Sequence, residues 1–263
     1  MKFILNILAF IGKKIINFFQ EFGQIVLLLI NVIRYFPTFI TNKGLIINQM
    51  KIIGADSLPL LLLIGAFTGA IASLEATGIF IKFNLLSLAE PFIGSSIATA
   101  VFTELTPVLT ALVIAGRVGG SIAAEIGTMK VTEQIDALEM MAIDKVRYLA
   151  MPRVLAAICM MPILGVFSNV VAIFGGYLLT LVQFDFSASQ FFESVQRFFK
   201  VSEIMIGLTK MLIFGGGTAL IGCHIGFKTN GGAEGVGQST VRSFTISAAF
   251  ILILDAIFGY IVY

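Results

Sequence analysis

Residues Val154–Phe184 carry no charged side chain. About 20 apolar residues suffice for a helix to cross a hydrocarbon core of ~30 Å, so this run predicts a transmembrane helix. At 1.5 Å per residue it outruns the bilayer, and must tilt, kink at Pro162 or protrude. Four further runs are long enough to cross: Leu58–Ile81, Phe92–Gly116, Ile204–Phe227 and Ser243–Tyr263. Each carries one or few charges: Glu75, Glu104, Lys210 and Asp255, respectively. The expected fold is an all-α polytopic membrane protein of five transmembrane helices, with the whole chain, 1–263, as a single membrane domain. Composition agrees: 12% of residues are charged, against roughly a quarter in soluble domains.

Residues 1–45 read differently. Lys13 and Lys14 interrupt the first apolar run, and no small-residue cleavage site follows it. Phe3, Ile7, Phe10, Ile11, Ile15, Phe18 and Phe19 recur at helical spacing, the pattern of a basic amphipathic helix lying in the membrane interface. Ile25–Ile33 is too short to span. This part is expected to form an interfacial elbow.

Basic residues set the orientation. With the N-terminus inside, Lys43, Lys51, Arg117, Lys130, Lys145, Arg147, Arg153, Lys228 and Arg242 lie in or beside cytoplasmic segments, and only Lys82, Arg197 and Lys200 lie outside. The C-terminus is then periplasmic. A net charge of +2 gives no reason to expect nucleic acid as a partner. Cys159 and Cys223 sit in apolar runs and read as small buried hydrophobes. His224, the only histidine, reads as a satisfied interface residue, and no metal-ligand spacing is present.

The chain spends an unusual share of its charge on residues 117–153, which the topology places in the cytoplasm. Within "GTMKVTEQIDALEMM" (127–141), Val131, Ile135 and Leu138, followed by Ala142, form one apolar stripe. Thr128, Lys130, Thr132, Glu133, Gln134, Asp136 and Glu139 occupy the other faces. A short amphipathic helix with an acidic exposed side is expected. Two roles fit it, a solvated loop and a helix that docks in a groove of a soluble partner. Upstream, Gly116, Arg117, Gly119, Gly120 and Gly127 belong to a stretch where small residues recur every three or four positions, suiting close helix packing within the chain or between copies.

Two segments carry a resemblance. "ELTPVLTALVIAGRVGGSIAAEIGTMKVTEQIDALEMM" (Glu104–Met141) resembles the signature segment of the MlaE/YrbE family of ABC-transporter permeases, and "GCHIGFKTNGGAEGVGQSTVRS" (Gly222–Ser243) resembles that family's last cytoplasmic loop. Thr106 stands where the family usually has glycine, beside the kink expected at Pro107, and Gln238 stands where a basic residue is common. The resemblance implies a homodimeric inner-membrane permease moving phospholipids or related lipids between inner and outer membranes. It implies a separate ATPase, holding ATP and Mg²⁺, docked on the cytoplasmic helix, and an MCE-domain protein on the periplasmic side. This chain has no Gly-x-x-x-x-Gly-Lys-[Ser/Thr] loop, so it is expected to bind no cofactor and to be a non-catalytic transmembrane subunit.

The intramembrane charges each cost roughly 2.5–3.5 kcal/mol at a helix centre on insertion scales. Opposite signs make Glu104–Lys210 and Lys210–Asp255 candidate pairs, which either hold helices together or line a cavity for a lipid headgroup. Lys210→Glu is then expected to insert normally but to transport poorly. Glu75 lies nearer the outer end of its span. Arg117 reads as a snorkelling interface residue. Gly175-Gly176 and Gly215–Gly217 read as close helix contacts, Lys228–Gln238 as a flexible connection, and Asp185–Lys200 as a short outer helix with Phe191, Phe192, Val195, Phe198 and Phe199 on one side. The competing readings are an ion-coupled secondary transporter or channel using Glu104, Lys210 and Asp255, and a membrane-embedded lipid enzyme. The first lacks an evident inverted repeat; the second lacks a catalytic constellation.

Overall fold

The computed structural model describes residues 2–82, 90–184, 187–198 and 200–262. Among them every regular element is helical. In chain order these are α1 (Lys2–Tyr35), α2 (Lys43–Ile53), α3 (Leu58–Lys82), α4 (Ile93–Val131), α5 (Gln134–Met140), α6 (Met151–Phe184), α7 (Ala188–Phe198), α8 (Val201–Phe227) and α9 (Gly232–Val262). Six helical stretches are long and apolar enough to cross a membrane, Gly12–Phe39 of α1 among them.

The long helices form one bundle with two ends. α4 and α8 run in the same direction, so Gly207 near the start of α8 meets Phe102 near the start of α4, and Gly222 meets Gly119 further along. α3 and α6 do likewise: Gly65 packs on Ser168, and Ser73 Oγ bonds Thr180 Oγ1 at 2.8 Å. Small residues make this seam possible. A Cβ at Gly69 would overlap the Ala172 carbonyl oxygen, so the two backbones touch, the packing lipid-embedded helices rely on. The expected contacts at Gly175 and Gly217 are present too, against Ala66 and Phe250. The main core gathers Ile53, Leu61, Ile114, Met151, Met161 and Phe214.

One end of the bundle carries α7. Its Phe191 is buried against Tyr177 of α6 (ring centroids 5.6 Å apart), and Ser194 Oγ donates to the Pro91 carbonyl at 2.7 Å. The outer helix thus packs on the bundle through Phe191 and Ser194. Phe199 lies outside the described residues, as does the start of the expected 185–200 helix. The other end carries α5.

Several boundaries differ from the sequence reading. α4 does not stop at Gly116 but continues to Val131. Two π-helical turns, Val101–Leu105 and Ala115–Gly119, absorb the Pro107 and glycine positions without ending the helix. α6 runs unbroken through Pro162 and begins with a further π-helical turn, Val146–Ala150, capped by Asp144, whose Oδ1 accepts the Val146 and Arg147 amides at 2.8 and 3.0 Å. The connection expected over Lys228–Gln238 is mostly helix: α9 starts at Gly232, after Gly231 and Gly232 turn the chain at φ 91° and 66°. Cys223 is buried, whereas Cys159 is exposed on the outside of the bundle. His224 is buried, but its Nε2 has no hydrogen-bond partner among the described residues, so it is not satisfied as expected.

Candidate functional site

Three helices bring three intramembrane charges together. Lys210 Nζ of α8 donates to Glu104 Oε1 of α4 at 2.9 Å and to Asp255 Oδ1 of α9 at 2.8 Å. Both candidate pairs therefore exist at once. A third acceptor comes from the backbone: the Thr103 carbonyl, 3.0 Å from Nζ. An ammonium has three protons, and here each has its own acceptor.

The local sequence explains that carbonyl. Thr103 and Glu104 lie in the π-helical turn, where the Thr106 amide bonds back to Val101 rather than to Phe102. Pro107 stands four residues after Thr103 and has no N–H to offer it. Lys210 supplies that carbonyl with a donor from a neighbouring helix. Gly207 lets the two helices close, because any Cβ there would strike the Phe102 carbonyl oxygen. The Lys210 side chain is only 1% exposed, against 37% for Glu104 and 20% for Asp255. The lysine is sealed and the carboxylates are open. Glu75 is exposed on α3 and takes no part; Arg117 is exposed on its π-helical turn.

The second feature is the α5 end. The stripe of Val131, Ile135, Leu138 and Ala142 does not lie on one helix. α4 ends at Val131, where Thr132 Oγ1 bonds back to the Thr128 carbonyl at 2.7 Å, and Glu133 adopts a left-handed φ of 60°. A separate seven-residue helix follows. It ends in a Schellman turn: Ala142 at φ 59° donates to Glu139, and Ile143 donates to Leu138. The break re-aims the surface. Ile135 is buried in the main core with Leu138 packed beside it, while Met140 is 89% exposed and Met141 stands out with it.

The acidic residues of this tip are unequal. Asp136 pairs with Lys130 and Glu139 with Lys145, both at 2.8 Å. Glu133 pairs with no described residue. Gln134 donates to Thr132. Just inside, Arg153 donates to Glu125 Oε2 and to the Leu149 carbonyl, both at 2.9 Å, tying α4 to the start of α6. Gly119, Gly120 and Gly127 each sit within close reach of Thr218, Thr240 and Thr229, so this part of the small-residue stretch packs inside the chain. Sequence reasoning missed Met140 and Met141 as surface, although both fall off the apolar stripe, which was the available signal. It missed the Thr103 carbonyl too, which Pro107 four residues on could have signalled.

The model of the family described as Permease MlaE matches residues 46–261. The chain belongs to the MlaE permease family. A probable ABC transporter permease protein of Rickettsia bellii is 37% identical over 250 residues, covering 95% of each chain. A probable ABC transporter permease protein of Synechocystis is 38% identical over 222 residues, 84% of this chain and 83% of that one. The intermembrane phospholipid transport system permease protein of Haemophilus influenzae is 32% identical over 255 residues, 97% of this chain and 96% of that one. The match to the MlaE family takes in both the triad and the α5 tip. Among the described residues of this MlaE-family permease no cluster of metal-ligating side chains occurs.

Proposed function

We propose that this MlaE-family chain is the transmembrane subunit of an ABC transporter that moves phospholipids between inner and outer membranes, driven by a separate ATPase that holds ATP and Mg²⁺. The observation that carries the reading is the α5 tip. Apolar side chains as exposed as Met140 and Met141, ringed by Glu133, Asp136 and Glu139, mark a protein contact. Ile135 roots that contact in the bundle core, so force applied there reaches α4 directly.

In this reading the α5 end faces the cytoplasm. It gathers Lys130, Lys145, Arg147 and Lys228, as the charge rule for inner loops asks. α1 serves as an interfacial elbow rather than a sixth crossing. Its Tyr35 hydroxyl donates to Asp144 at 2.9 Å and its Glu21 pairs with Arg242, so two points of one helix, roughly 21 Å apart along its axis, both meet the α5 half of the bundle. The C-terminus is then periplasmic, and α7 lies on the side where an MCE-domain partner would sit. A second copy of the chain fits α9, whose Val241, Phe244, Leu252, Ile253 and Ile257 are exposed beside an open groove at Gly237–Ile246. The open carboxylates of the triad line the lipid headgroup path.

The test is co-purification with the ATPase. Glu133→Arg combined with Asp136→Arg is expected to weaken association about tenfold or more. Undiminished association of the correctly inserted double variant overturns the docking assignment.

A further inference from the structure

We infer that the triad recognises the primary ammonium of an ethanolamine-type phospholipid headgroup, not its phosphate. This rests on the reading that the triad lines the lipid path, and deepens it by naming what the path selects.

Donors and acceptors at the triad are unequally spent. Lys210 is the one cation of the triad, and its three protons are taken by Thr103 O, Glu104 Oε1 and Asp255 Oδ1. It has nothing left to donate to a phosphate oxygen, and it is sealed from the surface. The acceptors are in the opposite position. Two carboxylates share one ammonium, and neither Glu104 Oε2 nor Asp255 Oδ2 receives a hydrogen bond from a described residue. Both carboxylate side chains are partly open.

The surroundings reinforce the sign. Along α4 the next cation is Arg117 and along α9 it is Arg242, each roughly 20 Å from the triad by helical rise. Along α8, Lys200 caps the helix roughly 15 Å from Lys210 and Lys228 lies farther still. Two turns from Lys210 on the same face of α8, Glu203 adds another carboxylate, held by Thr99 Oγ1 at 2.8 Å. Among the described residues of α4, α8 and α9, a phosphodiester at the triad meets no free cation within two helical turns. An –NH₃⁺ group meets two unspent carboxylate oxygens, and charge-assisted bonds to them replace the water it leaves behind.

The experiment uses the purified full-length protein in detergent, exchanged against equimolar phosphatidylethanolamine, N-acetyl-phosphatidylethanolamine and phosphatidylglycerol. Bound lipid is measured by mass spectrometry. N-acetylation keeps the phosphate and removes the cation. The wild-type protein is expected to retain phosphatidylethanolamine about tenfold over the other two. Glu104→Gln and Asp255→Asn are each expected to bring that ratio toward one. Equal retention of all three lipids by the wild type, or enrichment of phosphatidylglycerol, overturns ammonium recognition, and needs no variant to fold. If the folded variants lose all three lipids in equal measure, the lipid-path reading stands and ammonium selection fails. If folded variants keep the wild-type amounts and ratio, the triad is off the path and both readings fail.

Discussion

Among the described residues Lys210 and Arg153 are buried cations, and the protein treats them differently. Lys210 lies deep in the α7 half with every proton matched. Arg153 lies near the α5 end, where Nη1 and Nη2 are bonded but Nε has no partner among the described residues, and its carboxylate Glu125 is 44% exposed. The contrast follows depth. Far from water an unmatched polar proton costs its full desolvation; near the membrane surface, solvent at Glu125 relieves the pair. The protons of the deeper cation are all matched, and those of the shallower one are not.

Lys210 offers the hardest way to break that comparison. Lys210→Met leaves Glu104 and Asp255 side by side without a cation, and removing one partner of a buried ion pair costs about 3–5 kcal/mol. Thermal unfolding in detergent should show it as a large fall in Tm or a loss of folded protein. Lys210→Glu sets three carboxylates within reach of one another, so the expected outcome moves from poor transport to poor accumulation. Replacing the whole triad, as Lys210→Met with Glu104→Gln and Asp255→Asn, should recover most of the stability, since apolar or neutral replacement of a complete buried cluster is close to neutral. No recovery would mean that the triad does more than balance charge.

Smaller effects are expected toward the α5 end. Glu125→Ala should cost about 1 kcal/mol, because half-exposed pairs are screened, read as a modest fall in Tm. Ala142→Gly should act in the opposite direction. Ala142 holds the left-handed position of a Schellman turn where glycine has no steric penalty, and relief of about 1 kcal/mol is expected, measured as slower proteolysis at α5. Lys130→Ala removes an exposed bridge to Asp136 and should leave Tm unchanged within error.

How legible all this was in the sequence also follows depth. Charges in apolar spans are costly enough that their opposite signs pointed to a Glu104–Lys210 or a Lys210–Asp255 pair before any geometry. What hid was backbone chemistry. The glycines around the second π-helical turn of α4 made Gly116 read as an end, when the helix only shifts register there. The bend at Thr132–Glu133 was equally silent, because Val131, Ile135 and Leu138 keep helical spacing across it, and a left-handed glutamate has no signature. Gly231 and Gly232 marked a turn correctly, yet the glycines after them are helical, since neighbours in α9 settle what propensity alone leaves open.

The triad also sets an order of events during synthesis. Glu104 enters the membrane with α4, but its cation lies 106 residues later in the chain, which at about 5–20 residues per second takes roughly 5–20 s to be made. Asp255 arrives 45 residues after Lys210. The nascent chain therefore carries an uncompensated carboxylate through much of its elongation, and α4 is anchored fully only when α8 arrives. α9 then completes the lysine's coordination, so the triad closes only after α9 has been made.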